Sequence, residues 1–279
     1  MEIMIYPNSS RPGVGLKPRK EAARPLLPQH ARHCPVLEAA SGLGFLVYPP
    51  LEKNEAFQVT YEGDGRFLFS YFMTGPDGKW QKFFTVLTVL PVGSIGMMKQ
   101  EVEFALPGLP IDSDGAIRMA SAFVVAHDLG TPPGAITLRG ATNFRTPPGW
   151  DTVYGPVVNQ IDRPVAPMLV VRVETDWYVH ESEFRYVLQP GEGVSGSHTM
   201  PIGQVYFVPR EDMTLKEATE AQVAELHSSR DEFLREKAAT KLTTRYGLQY
   251  SPHYARESRA RRSPGAAGSA GSGDDAPEE

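Results

Sequence analysis

The chain has 279 residues, 41% of them hydrophobic and 10% aromatic, a composition that excludes a chain disordered throughout. A formal net charge of −5 argues against a surface built around nucleic-acid phosphates, and the single cysteine, Cys34, excludes an intramolecular disulfide. Met1 to Leu16 lacks the apolar core of a signal peptide, and no stretch approaches the roughly 20 apolar residues of a membrane helix, so the expectation is a cytoplasmic protein with neither nucleic acid nor membrane as partner.

Glycine and proline number 26 and 25 and fall at turn-like spacing, which favours many short elements over a helix bundle. Residues 1–35 carry Pro7, Pro12, Pro18, Pro25 and Pro28 and read as an irregular arm laid over the domain. Gly44 to Tyr48 is a short strand halted by Pro49-Pro50. Phe57 to Tyr61 alternates apolar and polar residues, the period of a half-buried strand. Glu62-Gly63-Asp64-Gly65 is a hairpin turn, because Asp-Gly tolerates positive φ, and Arg66 to Met73 is the return strand. Phe83 to Leu90, Ala120 to Ala126 and Gly134 to Arg139 read as further strands. Trp150 to Tyr154 alternates, Met168 to Glu174 is a nearly continuous apolar strand, Ser182 to Gln189 alternates through Phe184, Tyr186 and Leu188, and Gln204 to Pro209 closes the set. Gly191 to Gly196 reads as a flexible hairpin tip, with an anion cradle as the alternative. About ten strands without βαβ alternation predict a mainly β fold, an antiparallel β-sandwich or jelly roll over residues 36–212.

The period then changes. Thr214-Leu215-Lys216-Glu217 has the spacing of a capping box, and Leu215, Val223, Leu226, Phe233 and Leu234 recur at helical spacing. One C-terminal α-helix is expected within 213–240, with a narrow apolar stripe packed on the β domain. Residues 241–279 are expected to form a largely disordered tail, because Gly, Ser, Ala and charge dominate its end.

The densest polar cluster is Glu174-Thr175-Asp176-Trp177-Tyr178-Val179-His180-Glu181, directly after the most apolar strand. On a continuing strand Glu174 and Asp176 share a face. Their repulsion raises one pKa unless a cation intervenes, which suits a general base or a hard-metal site. The alternative is a solvated strand end anchored by a Trp. His127 follows an apolar strand and, with Glu174 or Asp176 and His180 or His198, would make a two-His-one-carboxylate metal site; a hydrogen-bonded structural His is the preferred reading. His30-Ala31-Arg32-His33-Cys34 has metal-ligating residue types but no second cluster, so Cys34 reads as a small residue entering the core. There is no Gly-x-Gly-x-x-Gly opening a helix, no Gly-Lys-Ser/Thr phosphate loop and no Gly-x-Ser-x-Gly elbow, and no motif names a cofactor.

Read together, His127-Asp128-Leu129-Gly130, Asn143-Phe144-Arg145-Thr146-Pro147-Pro148-Gly149-Trp150, Gly155-Pro156 with Asn159, and Val173-Glu174-Thr175-Asp176-Trp177 resemble, in order and spacing, a bacterial family known only as a domain of unknown function. Cys34-Pro35 matches it less closely, and the resemblance brings no activity with it. A second resemblance rests on Pro147-Pro148-Gly149-Trp150, Glu174-Thr175-Asp176-Trp177 and Met200-Pro201-Ile202-Gly203-Gln204-Val205, which are similar to motifs of the dUTPase and dCTP-deaminase superfamily. That likeness implies a trimeric jelly roll, with Glu174 as the base that orients water and Trp177 as the platform for a sugar. The chain departs from the superfamily in having Tyr154-Gly155-Pro156-Val157-Val158-Asn159 where a Pro-Arg-Ser-Gly phosphate-binding motif belongs, so shared topology without shared activity is the alternative.

The combined expectation is a small-molecule, nucleotide-like site with Glu174 and Asp176 as catalytic carboxylates and Trp177, Trp150, Asn159 and His127 as ligand-binding residues, in an enzyme or a degenerate relative. The competing readings are a structural or interaction homo-oligomer, and a cupin-like metal-dependent oxygenase using His127.

Overall fold

The computed structural model describes residues 2–21, 34–75, 77–91, 98–126, 131–160, 166–243, 247 and 249–262. These fall in two compact units, Met1–Glu211 and Asp212–Glu279. In chain order the first unit holds β1 (Met4–Pro7), α1 (Pro35–Ser41), β2 (Phe45–Val47), β3 (Glu55–Gly63), β4 (Arg66–Thr74), β5 (Trp80–Val89), β6 (Lys99–Phe104), α2 (Ser113–Phe123) and β7 (Val124–Ala126). It continues through β8 (Ala135–Arg139), β9 (Thr142–Arg145), β10 (Trp150–Gly155), β11 (Met168–Leu169), β12 (Val171–Val173), β13 (Glu183–Val187), β14 (Gly193–Ser197) and β15 (Gly203–Pro209). The fold is mainly β, and every strand pairing among the described residues is antiparallel.

The β3–β4 hairpin forms where alternation meets the turn: Asp64 and Gly65 take φ of 48° and 72°, a pair of left-handed residues that Asp-Gly supplies at low cost. It lies at the centre of a five-stranded sheet ordered β14-β3-β4-β5-β6. Two four-stranded sheets, β12-β10-β15-β2 and β11-β13-β8-β7, and a β1-β9 pair complete the unit. One hydrophobic core takes side chains from the larger sheets, including Phe57, Phe69 and Phe84, Leu138 and Phe184, and Tyr154 and Val205. Each such side chain fully removed from water contributes about 1.5–3 kcal/mol before entropy is counted. Gly203 sits against this packing: a Cβ there would overlap the Phe184 ring, so β15 can approach β13 only with glycine at that point.

Several expectations change. Ala120 to Phe123 is helical, not extended: Asp112 caps α2 by accepting the Gly115 N–H (2.7 Å), and Ala116, Ala120 and Phe123 form a buried stripe at helical spacing. Phe123, the last residue of this helix, stacks on Phe57 and Phe69. Residues 191–196 are not a free tip, because β14 forms the edge of the five-stranded sheet through pairs such as Val194 with Val59. The arm contains β1, paired with β9 from Met4–Arg145 to Pro7–Thr142. It also contains Arg11, which binds the buried Glu55 through both terminal nitrogens at 2.7 and 2.9 Å. Cys34 does not enter the core; it is half-buried at the N-cap of α1.

The second unit contains α3 (Glu220–Ala239), β16 (Leu242–Thr243), β17 (Gln249–Tyr250) and α4 (His253–Arg262). The long helix is present, but its capping box is Thr219 with Gln222 rather than Thr214 with Glu217, and none of its residues is buried. The β16–β17 pair and α4 lie in the stretch expected to be tail; residues 263–279 lie outside the described residues. Among the described residues no helix is long and apolar enough to cross a membrane.

Candidate ligand-binding site

The apolar run 168–173 is not one buried strand. It switches sheets: β11 pairs with β13, β12 pairs with β10, and Val170 between them is exposed. Regular pairing ends at Val173. Thr175 N–H then donates to Val173 O (2.9 Å) and Tyr178 N–H to Glu174 O (3.0 Å), so the chain turns. The period-two argument that puts Glu174 and Asp176 on one strand face therefore does not apply. A hydroxyl chain pins this turn. Thr146 donates to Trp150 O (2.6 Å), which leaves it to accept from Thr175 (2.9 Å), and Thr175 in turn accepts from Thr152 (2.6 Å). All three threonines are buried.

Beside the turn lies a carboxylate–guanidinium network. Asp151 on β10 is 2% exposed and accepts from Arg172 Nε (2.6 Å) and from Arg210 Nε and a terminal nitrogen (2.9 and 2.6 Å). Arg210, directly after β15, also donates to Asp176 (2.6 Å) and approaches Glu174 at 3.7 Å. Asp176 takes a further bond from Gly149 N–H at 2.9 Å. Burial pushes the Asp151 carboxyl up, but the Arg210 and Arg172 bonds outweigh it and hold the group below the usual carboxylate range. Asp176 is held low by Arg210 and then by the Gly149 N–H, and Arg210 is raised by Asp151 first and Asp176 second. Repulsion between Glu174 and Asp176 is thus offset by a cation, and Asp176 is a poor proton acceptor near neutral pH.

On the other side of the turn is a cleft of about 360 Å³, a size typical of small-ligand sites. Its walls are Val171, Arg172 and Val173 of β12, Tyr154 of β10, Glu183 and Arg185 of β13, and Glu174, Trp177, Tyr178 and His180 of the turn and its exit. Trp177 donates its indole N–H to Glu174 while the residue stays 63% exposed. The Trp177 and Tyr178 rings lie 5.7 Å apart, and Tyr178 and His180 5.2 Å apart, so three rings follow one another along the site. Three lining groups have a polar atom that is buried without a hydrogen-bond partner among the described residues: the Tyr154 hydroxyl, His180 Nδ1 and Arg185 Nε. Tyr154 is 1% exposed and burial raises its pKa. The Ser182 and Thr152 hydroxyls lie beside it and oppose that rise. His180 Nε2 lies 3.8 Å from Glu183, beyond hydrogen-bonding distance.

Of the residues expected at the site, Glu174 and Trp177 line the cleft, whereas Asp176 does not. Trp150 is half-buried at the start of β10, opposite Pro209, and is not part of the wall. Asn159 takes φ of 61° and ties its loop to α1, donating to Leu37 O (3.2 Å) and Ser41 Oγ (3.1 Å). His127 lies outside the described residues, as do His30 and His33. Among the described residues no group of three or more His, Cys, Asp or Glu is placed to hold a metal ion. Sequence reasoning passed over Tyr154, Glu183 and Arg185 as site residues. The signal for the last two was present, since alternation that buries Phe184 and Tyr186 must turn Glu183 and Arg185 to the opposite face. No family model, curated protein or solved structure matches the chain.

Proposed function

We propose that the protein binds a small molecule in the cleft between β12, the 174–180 turn and β13. One observation carries this reading. Polar side chains from three separate segments, Arg172 of β12, Glu174 and His180 of the turn and its exit, and Glu183 and Arg185 of β13, converge on one cleft of about 360 Å³ beside the exposed Trp177. Trp177 supplies an aromatic face beside them, in keeping with the nucleotide-like ligand and the base role of Glu174 that the dUTPase likeness implies. In an enzymatic version the reacting groups are Glu174, Glu183 and His180, not Asp176. The jelly-roll connectivity, the cytoplasmic location and a homo-oligomeric state belong to the same proposal.

The test is a thermal-shift and calorimetric screen of the full chain against nucleotides, nucleosides and aromatic metabolites. Binding that is lost in Trp177→Ala, with the melting temperature of the free protein unchanged, is the expected outcome. Silence across the panel, with a stable oligomer by light scattering, would instead favour the interaction-protein reading. That second reading has its own observation: Leu169, Val170, Trp177, Tyr178 and Val179 are all exposed.

A further inference from the structure

Independently of the cleft, the second unit segregates its charges along the chain. Carboxylates gather at 212–236 and again at 274–279, whereas 237–262 hold seven of the chain's 28 Lys and Arg against one carboxylate, Glu257. Helix α4 concentrates this excess, with Arg256, Arg259, Arg261 and Arg262 among its 10 residues. The end of α3 does not cancel it. Asp231 pairs with Arg230 (3.0 Å), a Glu236 oxygen lies 3.2 Å from His253 Nε2, and beyond these Glu232 stands against Arg235 and Lys237. Within α4, Glu257 is taken by Arg261 at 3.4 Å. Among the described residues Arg256 and Arg259 have no ion-pair partner, and both are exposed. Three residues apart on a helix, they share a face. The helix that presents them is seated on α3: the buried His253 ring lies 4.7 Å from that of Phe233.

Exposed guanidiniums without carboxylates of their own suit an anionic partner, and their planar fork matches phosphate. The net charge of −5 argues against a phosphate-binding surface spread over the whole chain, not against a segregated cationic stretch. Two exposed rings accompany the arginines: Tyr250 of β17 is 52% exposed and Tyr254 of α4 is 38% exposed. Such rings stack on unpaired bases, which a duplex keeps within its own stack. An anionic bilayer fits less well, because α4 has no large aliphatic side chain to place among acyl chains. An acidic peptide would meet the arginines and leave the tyrosines without bases to stack on. We infer that β17 and α4 bind single-stranded nucleic acid, with Arg256 and Arg259 on backbone phosphates and Tyr254 stacked on a base.

The experiment is fluorescence anisotropy of short labelled single strands, RNA and DNA, titrated with the full chain. Affinity should fall about tenfold between about 50 and 200 mM salt, since each neutralised phosphate adds about −0.7 to the logarithmic salt slope. Arg256→Gln combined with Arg259→Gln should weaken binding at the lower salt by about tenfold and make the slope shallower by about 1.4. Arg256→Lys combined with Arg259→Lys should keep the slope and lose only part of the affinity. Tyr254→Ala should weaken binding about fivefold or more with the slope unchanged, the signature of lost stacking. Both arginines are exposed and Gln is a good helix former, so circular dichroism should show the helices intact in these variants. No binding of either strand at the lower salt overturns the inference, as does binding that the Arg256→Gln, Arg259→Gln chain retains in full. Equal affinity for the matching duplex, for phosphatidylglycerol vesicles or for polyglutamate overturns it too, by making the surface a duplex, membrane or acidic-peptide site.

Discussion

Replacing Asp151 with Asn tests whether the network beside the cleft is structural. The substitution keeps size and shape but removes the charge that three guanidinium hydrogen bonds share. Asp151 is buried, whereas Arg172 and Arg210 are 49% and 33% exposed at their side chains. The freed cations can therefore recruit water, so the loss should fall near the value for charged hydrogen bonds, about 1.5–3 kcal/mol, and short of the 3–5 kcal/mol for stranding a fully buried charge. For a folded unit of this length that is a fall in melting temperature of roughly 3–12 °C. The pH dependence has a definite sign. Asp151 has a depressed folded-state pKa, so its contribution is complete above the unfolded carboxyl value near ~3.9 and is lost as pH falls through the folded value. The gap between wild type and Asp151→Asn should be open at pH 7 and should close in strong acid. Differential scanning calorimetry of both proteins across that range measures it. Equal melting temperatures at pH 7, or a gap that widens on acidification, would refute the assignment of Asp151 as the network's centre.

Glu55→Gln should be costlier, about 3–5 kcal/mol in urea denaturation, because Glu55 is 4% exposed and accepts from Arg11, the Glu52 N–H and the Tyr71 hydroxyl. Burial raises the Glu55 pKa but these bonds win and lower it, so this contribution too should fade only as pH drops below the ordinary carboxyl range. Gly203→Ala should destabilise the first unit by about 1–3 kcal/mol, since the added methyl meets the fully buried Phe184 ring and the Gly155 carbonyl; an unchanged melting temperature would show that β13 and β15 pack less closely than this contact requires.

How much of the fold and the site was legible in the sequence depends on whether the signal was local. The β3–β4 hairpin was readable because alternation and an Asp-Gly turn sit within one short window. Helix α2 was missed because Ala120 to Ala126 is apolar under either period, and the deciding cue lay upstream, in the Asp112 cap. The run from Met168 to Val173 reads as one buried strand because apolar content says nothing about a change of sheet, and that change leaves Leu169 and Val170 exposed. The candidate site shows the same limit. Arg210 stands 59 residues from Asp151 and 34 from Asp176, and only the register of β10 with β15 brings them together. From the sequence, two carboxylates two residues apart implied mutual repulsion and hence a raised pKa. That inference needed the strand to continue and no cation to be near, and neither holds: Tyr178 N–H closes on Glu174 O, and Arg210 reaches both side chains. The groups left free to meet a ligand are those the network does not claim, on the opposite wall of the turn.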